Sequence, residues 1–232
     1  MSRAHTDREY EAELRKLREQ VVLMGSKVEE MIASSMRALT LRDDALADKV
    51  IQLDHEVNRL EMETDELCLR ILARRQPVAS DLRFIAITLK LVTDLERMGD
   101  CTVNICERVL ELNREPPLTE TFVVLPAMAD AAQAMVKDAL DALVTGNIQR
   151  AEELIIDRDR VVDAYYAQIF RELLTYMMEN PRNIFRATRL QSIAKYLERI
   201  GDHATNLAEM IVFMKKGKDV RHPFSRAISK TP

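Results

Sequence analysis

The chain has 232 residues, enough for one large domain or two small ones. Its five glycines, seven prolines, absent tryptophan and abundance of Leu, Ala, Glu, Arg and Met favour helix. A formal net charge of −4 is too mild to argue for nucleic acid, and no apolar run approaches the roughly 18–20 residues that cross a bilayer.

From Tyr10 to Leu39, apolar residues fall at Leu14, Leu17, Val21, Met24, Val28 and Met31. The alternating spacing of three and four predicts an amphipathic helix with one buried seam. Arg42-Asp43-Asp44 breaks it, and Asp43 suits the N-cap of the next helix. That second helix carries Leu46, Val50, Leu53, Val57, Leu60, Thr64, Leu67 and Ile71, and ends before Pro77. Beside its seam runs a polar stripe: Asp54, Asn58, Glu61 and Asp65.

The third helix is expected from Ser80 or Asp81 to about Asn113, with two apolar stripes. A helix that is apolar on two faces lies between neighbours. Glu96 sits inside one stripe, where a carboxylate is costly without partners. Gly99 follows three residues on; it costs about 1 kcal/mol relative to alanine in a helix, but lets a backbone or ligand come close. Glu115-Pro116-Pro117 opens a linker.

The pattern then recurs. A fourth helix is expected from about Leu125 to Thr145, with Gly146-Asn147 as turn and cap. A fifth runs to about Glu179, with Asp159 in its seam and Asp163 one turn on. Pro181 ends it, and a sixth runs from about Asn183 to Lys216. No strand-like alternation appears. The expected fold is all-α: six long helices forming two pseudo-symmetric antiparallel three-helix bundles, residues 8–115 and 122–216. A basic, flexible tail is expected over 217–232.

One stretch is doubled. Leu95-Glu96-Arg97-Met98-Gly99-Asp100 returns as Leu197-Glu198-Arg199-Ile200-Gly201-Asp202, so Glu96 and Glu198 stand 102 residues apart, as do Asp100 and Asp202. Seven of the fourteen positions from Asp94 to Glu107 match those from Tyr196 to Glu209, which marks an internal repeat. Residues four apart share a helix face, so Glu96 with Asp100 and Glu198 with Asp202 are like-charge pairs. Asp54, Asn58 and Glu61 can converge on the first pair, and Asp159 and Asp163 on the second. Such all-oxygen clusters suit hard cations. The bland reading is a solvated face bridged by Arg97, Arg199, Arg59 and Arg160. Recurrence in both halves, with a glycine that a surface salt bridge does not need, favours metal. The candidate ligands are Glu96, Asp100, Glu198, Asp202, Asp54, Asp94, Asp159 and Asp163.

His203 follows Asp202, but its counterpart is Cys101, so it is at most auxiliary. His55 reads as solvated and the methionines as core. Cys68, Cys101 and Cys106 lack metal-finger spacing and read as core residues of a reducing compartment. With no apolar h-region between Met1 and Glu13, a cytoplasmic protein is expected. No Glu-x-x-His, HExxH, glycine-rich phosphate loop or GxSxG is present. The chain is read as a binding protein rather than an enzyme. The alternatives are a metal-dependent enzyme or metal store using the same clusters, and a metal-free helical scaffold.

The doubled Glu-Arg-hydrophobic-Gly-Asp resembles the repeated (Glu/Asp)-x-x-x-Asp motif of the PhoU family. Asp94–Asp100, Ile193–Asn206 and Gln76–Arg83 are supporting segments, within a likeness spanning roughly Tyr10 to Met214. The resemblance implies two three-helix bundles binding iron, zinc or similar ions at Glu96, Asp100, Glu198 and Asp202, while the carboxylate clusters themselves also suit manganese or magnesium. It also implies a cytoplasmic negative regulator of phosphate uptake and the phosphate-starvation response. Its implied partners are a sensor histidine kinase and the ATPase of a phosphate ABC transporter, with dimers common and the membrane reached only through partners. Two departures, Asp94 facing Tyr196 and Asn58 facing Asp163, imply that the two sites are not equivalent.

Overall fold

The computed structural model describes residues 2–118, 124–155 and 159–217, with only the backbone course for residues 2–7 and Asp159. Seven α-helices lie within them: α1 (Ser2–Leu41), α2 (Asp44–Arg75), α3 (Ala79–Asn113), α4 (Val124–Thr145), α5 (Ile148–Glu153), α6 (Asp159–Glu179) and α7 (Ile184–Lys216). No strand occurs among the described residues. Of the expected fifth helix, α5 and α6 are described, with a wider, π-type turn at Leu154 and Ile155, and residues 156–158 lie outside the described residues. The basic tail, from Lys218 onward, lies outside the described residues.

The breaks follow local chemistry. The Asp43 carboxylate accepts from the backbone N–H of Leu46, as an N-cap should. Asn147 does the same for α5, accepting from Arg150 N–H. Gln76 ends α2 with a left-handed φ of 48°, just before Pro77. Gly217 ends α7 with φ 65°, donating its N–H to the Phe213 carbonyl.

α1, α2 and α3 pack on one another, as do α4, α6 and α7, with the short α5 against α4 and α7. The halves meet through α1 against α4 and, most extensively, α3 against α7. The last two run antiparallel. Arg83 donates to the Met214 carbonyl, Asp94 meets His203, and Glu111 meets Arg189. One apolar core includes side chains from all seven helices, among them Met31, Met98, Met135, Ile169 and Ile200. A smaller cluster around Leu17, Ile71 and Ile85 closes one end. The three cysteines are buried, and burial pushes the Cys68 and Cys106 thiols up to about 12 and Cys101 to about 11. They are inert core groups. No helix among the described residues is long and apolar enough to cross a membrane.

Candidate functional site

α2 lays its polar stripe along α3 where the first Glu-Arg-Met-Gly-Asp occurs. The contact depends on Gly99. A Cβ there would lie 2.9 Å from Asp54 Oδ1, 3.5 Å from Val57 Cγ1 and 3.9 Å from Met31 Cε. The glycine is thus the floor on which the Asp54 carboxylate rests, and any larger residue would displace it.

Asp54 is buried, and its Oδ1 has no hydrogen-bond partner. Its Oδ2 accepts from Asn58 Nδ2 at 2.9 Å. Asn58 Oδ1 and Asp65 Oδ1 are likewise buried without partners. Three orphaned acceptor oxygens therefore stand on one face of α2. A buried acceptor left unmatched costs about 1–3 kcal/mol, so this stripe lowers the stability of the helix pair.

The charges confirm the crowding. Burial raises the Asp54 carboxyl above its ordinary range, and the Asp100 carboxylate raises it further. Glu96 is raised by burial first, then by Asp100, Glu61 and Asp54, with Arg97 opposing. Glu61 is raised by burial and Asp65, against a hydrogen bond with the Thr93 side chain. Asp65 is raised by burial. Asp54, Glu61, Glu96 and Asp100 thus share one locality, as the sequence implied. Arg59 pairs instead with Glu63 on the exposed side, at 3.8 Å.

The second half repeats the scaffold. A Cβ at Gly201 would meet Val162 Cγ1 at 3.4 Å and Met135 Sδ at 3.6 Å. Val162 and Met135 hold the places that Val57 and Met31 hold over Gly99. In that register Asp159 occupies the position of Asp54 on its helix, although its side chain lies outside those described. Asp163 and Asp202 are exposed and Glu198 half-buried. Glu198 is held in an ion pair by Lys195, whose ammonium is raised by that hydrogen bond. The residue equivalent to Lys195 in the first half is Thr93. This difference was visible in the aligned repeats, yet only the structure ties it to the site.

Asp94 is not brought to either cluster. It points away from Glu96 into the seam with α7, where Oδ1 lies 2.7 Å from His203 Nδ1 and 3.5 Å from Asn206 Nδ2. Residues two apart on a helix face different ways, so the two carboxylates serve different neighbours.

Among the described residues, no three His, Cys, Asp or Glu side chains are already closed into a coordination sphere. The orphaned oxygens, the glycine floor and the all-oxygen donor set nonetheless match a hard cation.

The comparisons with known proteins agree with this architecture. The family model described as PhoU domain matches residues 21–109 and again 125–211. The phosphate-specific transport system accessory protein PhoU homolog of Pseudomonas putida is 40% identical over 94% of this chain and 85% of its own. The accessory protein PhoU of Escherichia coli K12 is 39% identical over 94% of this chain and 90% of its own. These relatives bear accessory names, not those of enzymes. The crystal structure of PhoU from Pseudomonas aeruginosa superposes with a TM-score of 0.86 at 39% identity, over 90% of this chain and 99% of that one. The phosphate transport system regulatory protein PhoU from Streptococcus pneumoniae gives 0.84 at 30% identity, over 92% and 100%. Two copies of the family's domain, one in each half and each built around a Glu-Arg-x-Gly-Asp helix, make this chain a member of the PhoU family.

Proposed function

We propose that this chain is the accessory regulator of a phosphate-specific transport system. It dampens phosphate uptake and the starvation response, working in the cytoplasm as an adaptor between the transporter's ATPase and a sensor histidine kinase. The observation that carries this reading is the nearly full-length match to accessory proteins of phosphate transport. Long helices with mixed-charge outer faces suit a protein that works by docking, and a homodimer is part of the proposal.

In the same reading the two carboxylate clusters are cation sites. Asp54, Glu96 and Asp100, with Glu61 beside them, would hold the first ion. Glu198 and Asp202, with Asp159 and Asp163, would hold the second. Iron, zinc, manganese and magnesium all fall within the donor chemistry. A bound cation would neutralise crowded carboxylates and tie α2 to α3 and α6 to α7. Asp94, turned into the helix seam, is left out of both sets.

The regulatory reading is tested by deleting the gene and measuring alkaline phosphatase in high phosphate. Derepression is expected, and continued repression would sink it. The metal reading is tested by elemental analysis beside the Glu96→Ala/Asp100→Ala/Glu198→Ala/Asp202→Ala variant. Equal metal content in both proteins would refute it.

A further inference from the structure

The halves of this chain repeat one pattern, which raises a problem of self-recognition. A seam identical on both halves would join a first half to another first half as readily as to a second half, the characteristic misassembly of repeat proteins. Two side-chain pairings across α3 and α7 are, however, one-sided. α3 supplies the acids, Asp94 and Glu111; α7 supplies their partners, His203 with Asn206, and Arg189.

The repeat offset gives the counterpart of each residue. Asp94 corresponds to Tyr196, His203 to Cys101, Glu111 to Phe213 and Arg189 to Ile87. The equivalent of the Asp94–His203 contact is therefore Tyr196 with Cys101, and that of Glu111–Arg189 is Phe213 with Ile87. Both are apolar. Cys101 and Ile87 are buried, and Tyr196 and Phe213 pack partly buried against the core. The Cys101 thiol also feels the charges of Arg199 and Asp202 on α7, as a residue at this seam should.

Wrong pairings can be written out from the same register. Two α3 helices brought together would set Asp94 against Cys101 and Glu111 against Ile87. Two α7 helices would set His203 against Tyr196 and Arg189 against Phe213. The Asp94 and His203 side chains are only 12% and 11% exposed, so a carboxylate left there without its partner is heavily penalised. Glu111 and Arg189 are 30% and 31% exposed and carry less weight. We infer that the Asp94–His203 pair, seconded by Glu111–Arg189, is a pairing code that admits only unlike halves. It selects the fold of a single chain over dimers of like halves, as a lone buried polar pair fixes partner choice in coiled coils.

The test makes the seam symmetric in two opposite ways. Asp94→Tyr/His203→Cys gives two Tyr–Cys contacts; Tyr196→Asp/Cys101→His gives two Asp–His contacts. The exchange Asp94→His/His203→Asp keeps the one-sided code. Equal amounts of nitrogen-14 and nitrogen-15 full-length chains are refolded together at high concentration and cross-linked. Mass spectrometry then counts links between α3 of a light chain and α3 of a heavy one. Both symmetrised variants should show about tenfold more such links than the parent, the change made by about 1.4 kcal/mol in an equilibrium, and the exchanged variant should match the parent. Parental levels in the symmetrised variants would overturn the proposal. So would raised levels in the exchanged variant. Failure of both symmetrised variants to refold cooperatively would also overturn it, because each should leave the seam fully paired.

Discussion

At the scale of single residues, Asp54 and Gly99 illustrate an arrangement held at the expense of stability. The Asp54 carboxyl is raised in the folded state, as are those of Glu61, Asp65 and Glu96, by burial before anything else. A carboxyl with a raised folded pKa binds more protons folded than unfolded. Its contribution therefore destabilises increasingly as pH climbs from the ordinary carboxylate range through the raised value. Without metal, Asp54→Asn should melt higher than the parent at pH 7–8. That advantage should shrink toward pH 4, while the variant's metal content falls. A thermal melt series across this range checks both, and a parent that melts higher at pH 8 would contradict the assignment. The glycines give a second contrast. Gly201→Ala meets only ordinary contacts at 3.4 Å and should be neutral, or stabilising by up to about 1 kcal/mol through helix propensity. Gly99→Ala meets Asp54 Oδ1 at 2.9 Å, so it should displace that carboxylate and lower metal binding in the first site. Metal titration of the two variants separates them.

At the scale of helices, the sequence spoke clearly where one physical signal dominated. Alternating spacings of three and four placed the long helices, Asp43 and Asn147 marked their caps, and Pro77 and Pro181 their ends, because each of these is decided within a turn or two of chain. The convergence of Asp54, Glu61, Glu96 and Asp100 was also legible, since α2 and α3 are neighbours joined by a short loop. The direction of Asp94 was not. It depends on α7, a partner more than 80 residues further along, and no local pattern announces it. The wider turn at Leu154 and Ile155 has no proline or glycine to betray it. Lys195 was hidden for a different reason: a lysine on a helix is ordinary until its neighbour is known to be a ligand candidate. Since Lys195 occupies Glu198, Lys195→Thr, which copies the first half, should strengthen cation binding at the second site. The gain should reach about fivefold at most, because an exposed ion pair is worth no more than about 1 kcal/mol. Isothermal titration would show it, and unchanged or weaker binding would argue against competition by the lysine.

At the scale of the molecule, the repeat does not produce two separate cores. Residues of both halves share one apolar cluster, and α3 against α7 is the broadest of the helix pairings. Urea unfolding should therefore follow a single transition by both circular dichroism and intrinsic tyrosine fluorescence. Two resolved transitions would show that the halves hold together by themselves. The antiparallel crossing of α3 and α7 also has a historical meaning. Where two identical half-length chains meet, every substitution in the contact is introduced twice, related by the two-fold axis. No single change there can distinguish one side from the other. Once both halves are carried on one polypeptide, each can vary alone. Asp94 opposite His203, with Tyr196 and Cys101 at the equivalent positions, is an arrangement that two identical chains could not write.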